Sequence, residues 1–284
     1  MNMKKFVLNL VCDDHTGIIS SVTSYVTANG GNIIESGQYV DLDDKRFFMR
    51  LCFEVNEGVE LEYFKADFAD SISYSNLEWK LYDLSIKPRV MIMVSQLGHC
   101  LNDLLYRYSI GQLPMELVSV ASNHERYQSR VEHEGLDFHY LPITPETKPE
   151  QEAKLLKLID EQGIDLVILA RYMQVLSDNL CQKMSGKIIN IHHSFLPSFK
   201  GGRPYHQARE RGVKLIGATA HYVTADLDEG PIIEQDVKRV DHAAAASDMV
   251  AIGRDTESQV LSKAVRLQLE RRILLHDHRT VIFQ

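Results

Sequence analysis

The spacing of hydrophobic residues before Pro88 predicts the order strand, helix, strand, strand, helix, strand. Short runs that alternate apolar and polar residues, and that are rich in β-branched and aromatic types, favour half-buried strands. Stretches with apolar residues three or four positions apart predict helices. The strands are expected at 5–12, 32–41, 46–55 and 77–84, and the helices at 17–28 and 60–73. This βαββαβ order is typical of a small ferredoxin-like unit.

From Pro88 onward, short apolar runs alternate with amphipathic stretches. That rhythm favours a mostly parallel sheet with helices on both faces, which binds ligands at the carboxyl ends of its strands. The strands are expected at 90–94, 117–121, 166–170, 188–191 and 215–221. The sequence therefore predicts an α/β chain in two domains, a ferredoxin-like one at 1–85 and a mostly parallel, Rossmann-like one at 86–284.

The carboxyl-terminal pattern predicts one long helix from Ser247 to His276. Four apolar residues fall four positions apart and would form its buried stripe. They are Leu261, Val265, Leu269 and Ile273. A last short strand at 280–283 is expected to close the sheet.

Composition narrows the classes of function. The 284 residues are 44% hydrophobic and 25% charged, which is ordinary for globular proteins. A net charge of −8, from 31 basic and 39 acidic residues, disfavours nucleic acid and anionic membranes as partners. No apolar run approaches the roughly 18 residues that span a bilayer, and the first run ends at Asp13 and Asp14, so we expect a strand there and not a signal peptide. Four scattered cysteines without a CxxC pair indicate a reducing cytoplasm and neither disulfides nor a zinc site.

The densest candidate chemistry begins at the end of the strand 188–191. Asn190 and His192 are two positions apart, so strand geometry turns both side chains to one face. An amide and an imidazole at a strand end can polarise a carbonyl group. The same alternation points His193 to the opposite face unless a bulge intervenes. Pro197 and the Gly201-Gly202 pair predict a loop after the strand.

A second group of polar residues follows the strand that contains His221. Its loop carries Asp226, Asp228 and Glu229 before a Gly230-Pro231 turn. One of these carboxylates could orient an imidazole or move a proton, although composition alone favours a solvated acidic loop. The separation in sequence does not establish that this loop meets Asn190. No HExxH motif is present, and we expect no metal site.

Three segments together resemble the folate-dependent formyltransferase fold: Asn190-Ile-His192-His-Ser-Phe-Leu-Pro197, Gly217-Ala-Thr-Ala-His221 and Leu227-Asp228-Glu-Gly230-Pro. The resemblance implies that Asn190, His192 and Asp228 are catalytic. The segment from Ala170 to Leu176 is similar to the one that lines the pterin pocket in that family. The resemblance implies these substrate-binding residues: Arg171, Tyr172, Met173, Val175, Leu176, His221, Leu227 and Gly230.

The amino-terminal unit resembles an ACT domain, and its combination with a formyltransferase domain is similar to the formyltetrahydrofolate deformylases. That family hydrolyses 10-formyltetrahydrofolate to formate and tetrahydrofolate, which supplies formate for purine synthesis and balances one-carbon pools. The resemblance implies a tetrahydrofolate derivative as substrate and product, with no tightly bound cofactor. It also implies a homo-oligomer joined through its ACT domains.

The ACT resemblance implies a small amino-acid effector such as glycine or methionine. The implied effector-binding residues are Asp14, Gly17, Ile18, Asn32 and Ile33. The family pattern Asp-Arg-Pro-Gly is replaced here by Asp14-His-Thr-Gly17, which leaves the identity of the effector open.

Two other functions remain open at this point: formyl transfer to a small amine such as glycinamide ribonucleotide, and amino-acid sensing without catalysis. Transferases that act on that ribonucleotide carry a glycine-rich phosphate loop after the first strand of this domain. The matching stretch here, Ser95 to Leu101, has a single glycine, so water is the expected acceptor. His193 stands where the transferases usually have proline, and its role stays open.

Overall fold

The computed structural model describes residues 3–56, 61–196 and 204–284. The loop predicted around Pro197 and Gly201-Gly202 lies outside these residues. The chain divides into two compact units, and the second begins at Pro88. The first unit also includes Arg271–His276 and Val281–Gln284, which the sequence assigned to the second domain. The reason is visible at Arg271, whose carbonyl oxygen accepts hydrogen bonds from Asn9 and Arg50.

The first unit contains a four-stranded antiparallel sheet in the order β2-β3-β1-β4. That order confirms the ferredoxin-like prediction. Its elements are β1 (Met3–Asp13), α1 (Ile18–Ala28), β2 (Asn32–Asp41), β3 (Arg46–Asn56), α2 (Leu61–Ser71) and β4 (Glu78–Asp83).

An aromatic core fills the first unit. Phe53 and Phe64 stack with ring centroids 5.6 Å apart, and Phe64 also stacks on Phe68. Ile18 and Val22 on α1 are buried against this cluster, as their helical spacing predicts. Burial of these large apolar side chains is the main stabilising contribution to the unit.

The second unit contains a seven-stranded sheet and the larger share of the helices. Its elements are β5 (Arg89–Val94), α3 (His99–Ser109), β6 (Glu116–Ser122), α4 (Gln128–His133), β7 (Asp137–Tyr140), α5 (Lys148–Glu161), β8 (Leu166–Leu169), α6 (Asp178–Lys183), β9 (Ile188–His192), α7 (Pro204–Glu210), β10 (Leu215–Tyr222), β11 (Ile232–Arg239) and α8 (Ala246–Leu269).

The seven strands lie in the order β11-β10-β9-β8-β5-β6-β7. The strands from β9 to β7 pair in parallel, whereas β10 is antiparallel to both of its neighbours. The mostly parallel, Rossmann-like prediction is therefore confirmed. The strand order reverses at β5, between β8 and β6, so the ends of β5 and β8 flank a switch point where such sheets open a crevice.

The carboxyl-terminal prediction was wrong in two respects. The long helix ends at Leu269, because Arg271 adopts a left-handed backbone with φ 56°, and Ile273–His276 forms strand β12. Arg279–Ile282 forms β13, which pairs with β12 in a separate two-stranded sheet and does not close the large one. The predicted stripe is buried at Leu261, Val265 and Leu269, whereas Ile273 belongs to β12.

Candidate active site

The segment that follows β8 turns sharply into a cavity. Arg171 has a left-handed backbone with φ 65°, which is uncommon for a residue with a side chain. The hydroxyl of Ser95, just after β5, accepts a hydrogen bond from the backbone N–H of Met173 at 2.9 Å and donates one to Asn123 at 2.7 Å. These bonds fix residues 171–173 at the ends of β5 and β8.

The antiparallel pairing of β9 and β10 sets Asn190 directly opposite His221. Asn190 Nδ2 lies 3.2 Å from Nε2 of His221, and Nδ1 of His221 lies 2.8 Å from the carbonyl oxygen of Tyr222. A carbonyl only accepts, so the Nδ1 of His221 carries a proton. In the neutral ring, Nε2 therefore accepts a hydrogen bond from the Asn190 amide.

The loop after β10 brings Asp228 to both imidazoles. Its Oδ2 lies 3.2 Å from Nδ1 of His192, and its Oδ1 lies 3.6 Å from Nε2 of His221. The hydrogen bond from His192, together with the nearby His221 ring, holds the pKa of the Asp228 carboxyl well below its usual value, although partial burial opposes that shift. Asp228 is therefore ionised at neutral pH, and it too has a left-handed backbone, with φ 59°.

His192 has one ring nitrogen engaged and the other free. Nδ1 faces the ionised Asp228, so it carries a proton. Nε2 is buried and has no hydrogen-bond partner in the part of the chain that the structure describes. A buried nitrogen without a partner is costly unless something else, such as a ligand, completes it.

Thr219 anchors the chain that follows His192. Its hydroxyl donates to the carbonyl oxygen of Ser194 at 2.9 Å and accepts from the backbone N–H of Leu196 at 3.0 Å. Gln235 on β11 donates to the same hydroxyl. Since Thr219 is fully buried, these bonds hold residues 194–196 against β10.

An open cavity of about 240 Å³ collects most of the sequence-predicted site residues. Met173, Val175 and Leu227 line it although more than half of each residue is exposed, so they give the cavity an apolar rim. The residues named from the sequence that line it are Asn190, His192, Asp228, Arg171, Tyr172, Met173, Val175, Leu176, His221 and Leu227.

Gly230 is the one predicted substrate-binding residue that is not among those lining the cavity. It is buried against the backbone of Tyr222, where any added Cβ would overlap the carbonyl oxygen. Tyr222 also donates its N–H to the carbonyl oxygen of Pro231. Gly230 therefore serves a close backbone approach that returns the loop carrying Asp228 to β11.

The five residues predicted to bind an effector lie in the first unit, around the start of α1 and of β2. Ile18 is buried in the core and Ile33 packs against it, whereas Asp14, Gly17 and Asn32 are exposed. Gly17 has φ 96° and allows the tight turn into α1.

His193 does not point away from the site, so that prediction was wrong. β9 ends at His192, and the strict alternation of a strand no longer applies one residue later. The two imidazoles stack with centroids 4.8 Å apart, and His193 lines the same cavity. Its Nδ1 lies 2.7 Å from Nη1 of Arg171.

Sequence reasoning missed a buried acidic residue behind the cavity. Glu257 on α8 is 1% exposed and contacts His99, Tyr205 and Arg171. In the sequence it follows Arg254 and Asp255 and is typical of a solvated helix face. No local signal distinguishes it, because its burial comes from the packing of α8 on α3 and the sheet.

In the part of the chain that the structure describes, two groups of side chains have the proximity that a metal ion needs. One is His99 with Cys100 and Glu257, and the other is Asp41 with Asp44 and His276. Burial raises the pKa of the Cys100 thiol, which disfavours the thiolate that would bind a metal. Neither group lines the cavity.

The fold and the polar residues around the cavity together indicate a class of protein. Residues 88–265 match the family described as formyl transferase, and this class is the one that the fold and the cavity indicate. The chain is 49% identical over 281 residues to a formyltetrahydrofolate deformylase from Corynebacterium sp. (strain P-1), with 99% of this chain and 98% of the relative covered. The chain belongs to the formyltetrahydrofolate deformylase family, and it is an enzyme.

Solved structures agree with that membership. A formyltetrahydrofolate deformylase from Burkholderia mallei superimposes with a TM-score of 0.94 at 44% identity and covers 99% of this chain and 100% of its own. A glycinamide ribonucleotide transformylase from Symbiobacterium toebii gives a TM-score of 0.66 at 30% identity and covers 72% of this chain and 98% of its own. Among the described residues, none of the helices combines the length and apolar character needed to cross a membrane.

Proposed function

We propose that this protein hydrolyses 10-formyltetrahydrofolate to formate and tetrahydrofolate, and that Asn190, His192 and Asp228 carry the reaction. The observation that supports these roles is the meeting of the three side chains in one cavity with an apolar rim. An apolar rim suits the aromatic rings of a folate, and the polar centre suits its formyl group. The formate released would supply purine synthesis.

In this proposal Asp228 takes the proton of the attacking water. The water oxygen bonds to the formyl carbon, and the carbonyl oxygen becomes an oxyanion in a tetrahedral intermediate. The proton then passes to the folate nitrogen as the carbon–nitrogen bond breaks, which releases formate and tetrahydrofolate. The lowered pKa of Asp228 keeps its carboxylate ionised at neutral pH, so it can accept a hydrogen bond from the attacking water and orient it.

Asn190 and His192 stabilise the oxyanion in this mechanism. In the proposal His192 acts as an imidazolium: its Nδ1 lies 3.2 Å from Asp228, and its otherwise unpartnered Nε2 donates a hydrogen bond to the oxyanion. Asn190 gives at most one of its two N–H groups to His221, so at least one remains for the oxyanion. Each such donor typically contributes roughly 10²–10³ in rate.

The segment that follows β8 supports the proposal that the pterin binds there. Tyr172 and Leu176 are buried at the base of the cavity, while Met173 and Val175 stand exposed at its mouth. The Ser95 hydroxyl fixes this segment before any ligand arrives. A preformed slot of this kind reduces the ordering that binding costs.

Water is favoured over a phosphorylated amine as the acceptor because the loop after β5 is filled. Gly98 lies against the ring of Tyr127, where even an added Cβ would overlap that ring. The Tyr127 hydroxyl donates to the carbonyl oxygen of Gln96 at 2.9 Å and so covers the loop. A phosphate cradle needs open backbone N–H groups, and this packing does not favour one.

The decisive experiment is a formate assay on purified protein with 10-formyltetrahydrofolate and no added amine. We expect catalytic release of formate and tetrahydrofolate in equal amounts. A parallel reaction with glycinamide ribonucleotide should give no formylated ribonucleotide. Formylated ribonucleotide without release of formate would establish a formyltransferase instead. If neither product forms, amino-acid sensing without catalysis would be favoured.

We further propose an amino-acid effector site in the first unit, at the start of α1 and β2, and a homo-oligomer joined through that unit. The exposed Asp14, Gly17 and Asn32 are the residues that would meet a small ligand there. Calorimetry with glycine and with methionine tests the site. If neither amino acid gives a heat of binding, the proposed effector site is refuted. The buried, unpaired state of all four cysteines supports the proposal of a cytoplasmic location.

A further inference from the structure

A chain of buried polar contacts leads from α8 to the cavity and ends beside His192. It runs from Glu257 through Arg171 to His193. The proposed mechanism uses none of these three side chains. Glu257 and Arg171 are 1% and 8% exposed, so their charges lie where water stabilises them little.

Glu257 is held as a fixed anion. Its Oε2 lies 2.7 Å from Nε2 of His99 and 3.3 Å from Nε of Arg171, and its Oε1 accepts from the Tyr205 hydroxyl at 2.6 Å. Burial alone would raise the pKa of Glu257, but the His99 hydrogen bond, the charge of Arg171 and the Tyr205 hydroxyl together lower it. The carboxylate therefore stays ionised and attracts the guanidinium by its charge across 3.3 Å.

Arg171 is constrained at both ends. Its backbone is left-handed, and its guanidinium lies between Glu257 and His193. A guanidinium keeps its protons at any ordinary pH and has no acceptor atom. The 2.7 Å contact between Nη1 and Nδ1 of His193 therefore makes Nδ1 an acceptor, without a proton of its own.

This contact fixes the tautomer of His193. With Nδ1 unprotonated, the proton of the neutral ring must sit on Nε2. Burial, together with the positive charges of Arg171 and His192, lowers the pKa of His193 to about 4, while Glu257 and Asp228 oppose the shift. Among the described residues, Nε2 has no hydrogen-bond partner, and the ring lines the cavity parallel to that of His192.

We propose that Glu257 and Arg171 hold His193 as one tautomer whose Nε2–H donates a hydrogen bond to the formyl oxygen, which makes His193 a further catalytic residue. Arg171 and Glu257 are then positioning residues, and Arg171 acts on the substrate through His193. The inference rests on the proposed function, since it assigns a second imidazole donor to the same oxyanion. A neutral donor suits this place, because it adds a hydrogen bond without a second imidazolium against His192.

The tautomer is tested without any substrate by ring ¹⁵N NMR of the labelled full-length protein. The signal of His193 is the one that the His193→Gln variant lacks. We expect Nε2 protonated and Nδ1 unprotonated between pH 8 and pH 5, and a mixture of tautomers in Arg171→Met. A protonated Nδ1 in the wild type, or titration of His193 near the usual value of about 6.5, would overturn the arrangement.

Kinetics test the role of the donor. His193→Leu should lower kcat for formate release by roughly 10²–10³ and change KM by less than about threefold. His193→Gln should keep part of the lost rate, because its amide supplies an N–H. The control is His133→Leu, an exposed histidine on α4, which should match the wild type. An unchanged kcat in His193→Leu, or a change in KM alone, would refute the proposal.

The positioning role of Arg171 has a separate readout. Arg171→Met should lower kcat and move the acidic limb of its pH profile to higher pH, because His193 loses a neighbouring positive charge. Arg171→Lys should restore part of both. If the profile keeps its shape in Arg171→Met, the positioning role is refuted.

If the wild type releases no formate, the proposed function and the donor role both fail, whereas an active wild type with an unaffected His193→Leu refutes this inference alone.

Discussion

Replacing Asn190 by alanine is the most direct test of the oxyanion site. The side chain gives one N–H to His221 at 3.2 Å and keeps another for the reacting oxygen. Alanine removes that second donor. The expected loss is the value of one oxyanion donor, about 3–4 kcal/mol or roughly 10²–10³ in kcat. KM should change little, because the ground-state carbonyl carries far less charge than the intermediate.

The same substitution carries a smaller structural cost. His221 is 2% exposed, and its Nε2 would lose the amide, while the ionised Asp228, whose oxygen lies 3.6 Å away, has no proton to donate to it. A buried polar atom that loses its partner costs about 1–3 kcal/mol of stability. The melting temperature should fall, but the protein should remain folded at the assay temperature. Asn102→Ala, at an exposed position on α3, is the matched control.

The assay measures initial rates of formate release over a range of 10-formyltetrahydrofolate concentrations, with melting curves for each variant. The reasoning is refuted if Asn190→Ala raises KM with kcat unchanged, since the amide would then bind the substrate without favouring the transition state. Wild-type kinetics in a folded Asn190→Ala variant would remove Asn190 from the site altogether.

The other predictions concern charge and position. Asp228→Asn should lower kcat by about 10²–10⁴, as expected for loss of a general base, while calorimetry still detects tetrahydrofolate; normal turnover would contradict the assignment. Because the pKa of His193 falls to about 4 in the folded protein, the unfolded chain binds more protons below about pH 6.5. The unfolding free energy should therefore decrease as the pH falls from 6.5 towards 4. The decrease should be larger in the wild type than in His193→Gln, by at most roughly 3 kcal/mol. If the unfolding free energies of both proteins depend equally on pH, the His193 ring is not held neutral in the folded protein. Thr219→Val should lower the free energy of unfolding by about 1–3 kcal/mol and should lower kcat, since Leu196 and Gln235 lose their shared hydrogen-bond partner. Thr27→Val, at an exposed position, should change neither quantity.

Period-two spacing was sufficient to predict that Asn190 and His192 share a face, because both lie within β9. It failed one residue later, since His193 lies beyond the last hydrogen-bonded pair of the strand and its ring follows Arg171. No local pattern shows where a strand ends when the next residues are also compatible with extended backbone.

Contacts between distant segments were beyond sequence reasoning without the family resemblance. Asp228 reaches His192 because β10 runs antiparallel to β9 and its loop folds back at Gly230. The burial of Glu257 likewise depends on the packing of α8. The end of that helix was missed because Arg271, and no glycine or proline, takes the left-handed turn.

Two residues around the cavity, Arg171 and Asp228, adopt backbone angles that glycine adopts at no steric cost. Glycine at such a position commonly relieves about 1 kcal/mol of unfavourable backbone energy. A design procedure that scores backbone strain alone would thus select Asp228→Gly, a variant that has lost its carboxylate and its contact with His192. Efforts to stabilise this protein should leave both positions unchanged and place stabilising substitutions far from the cavity.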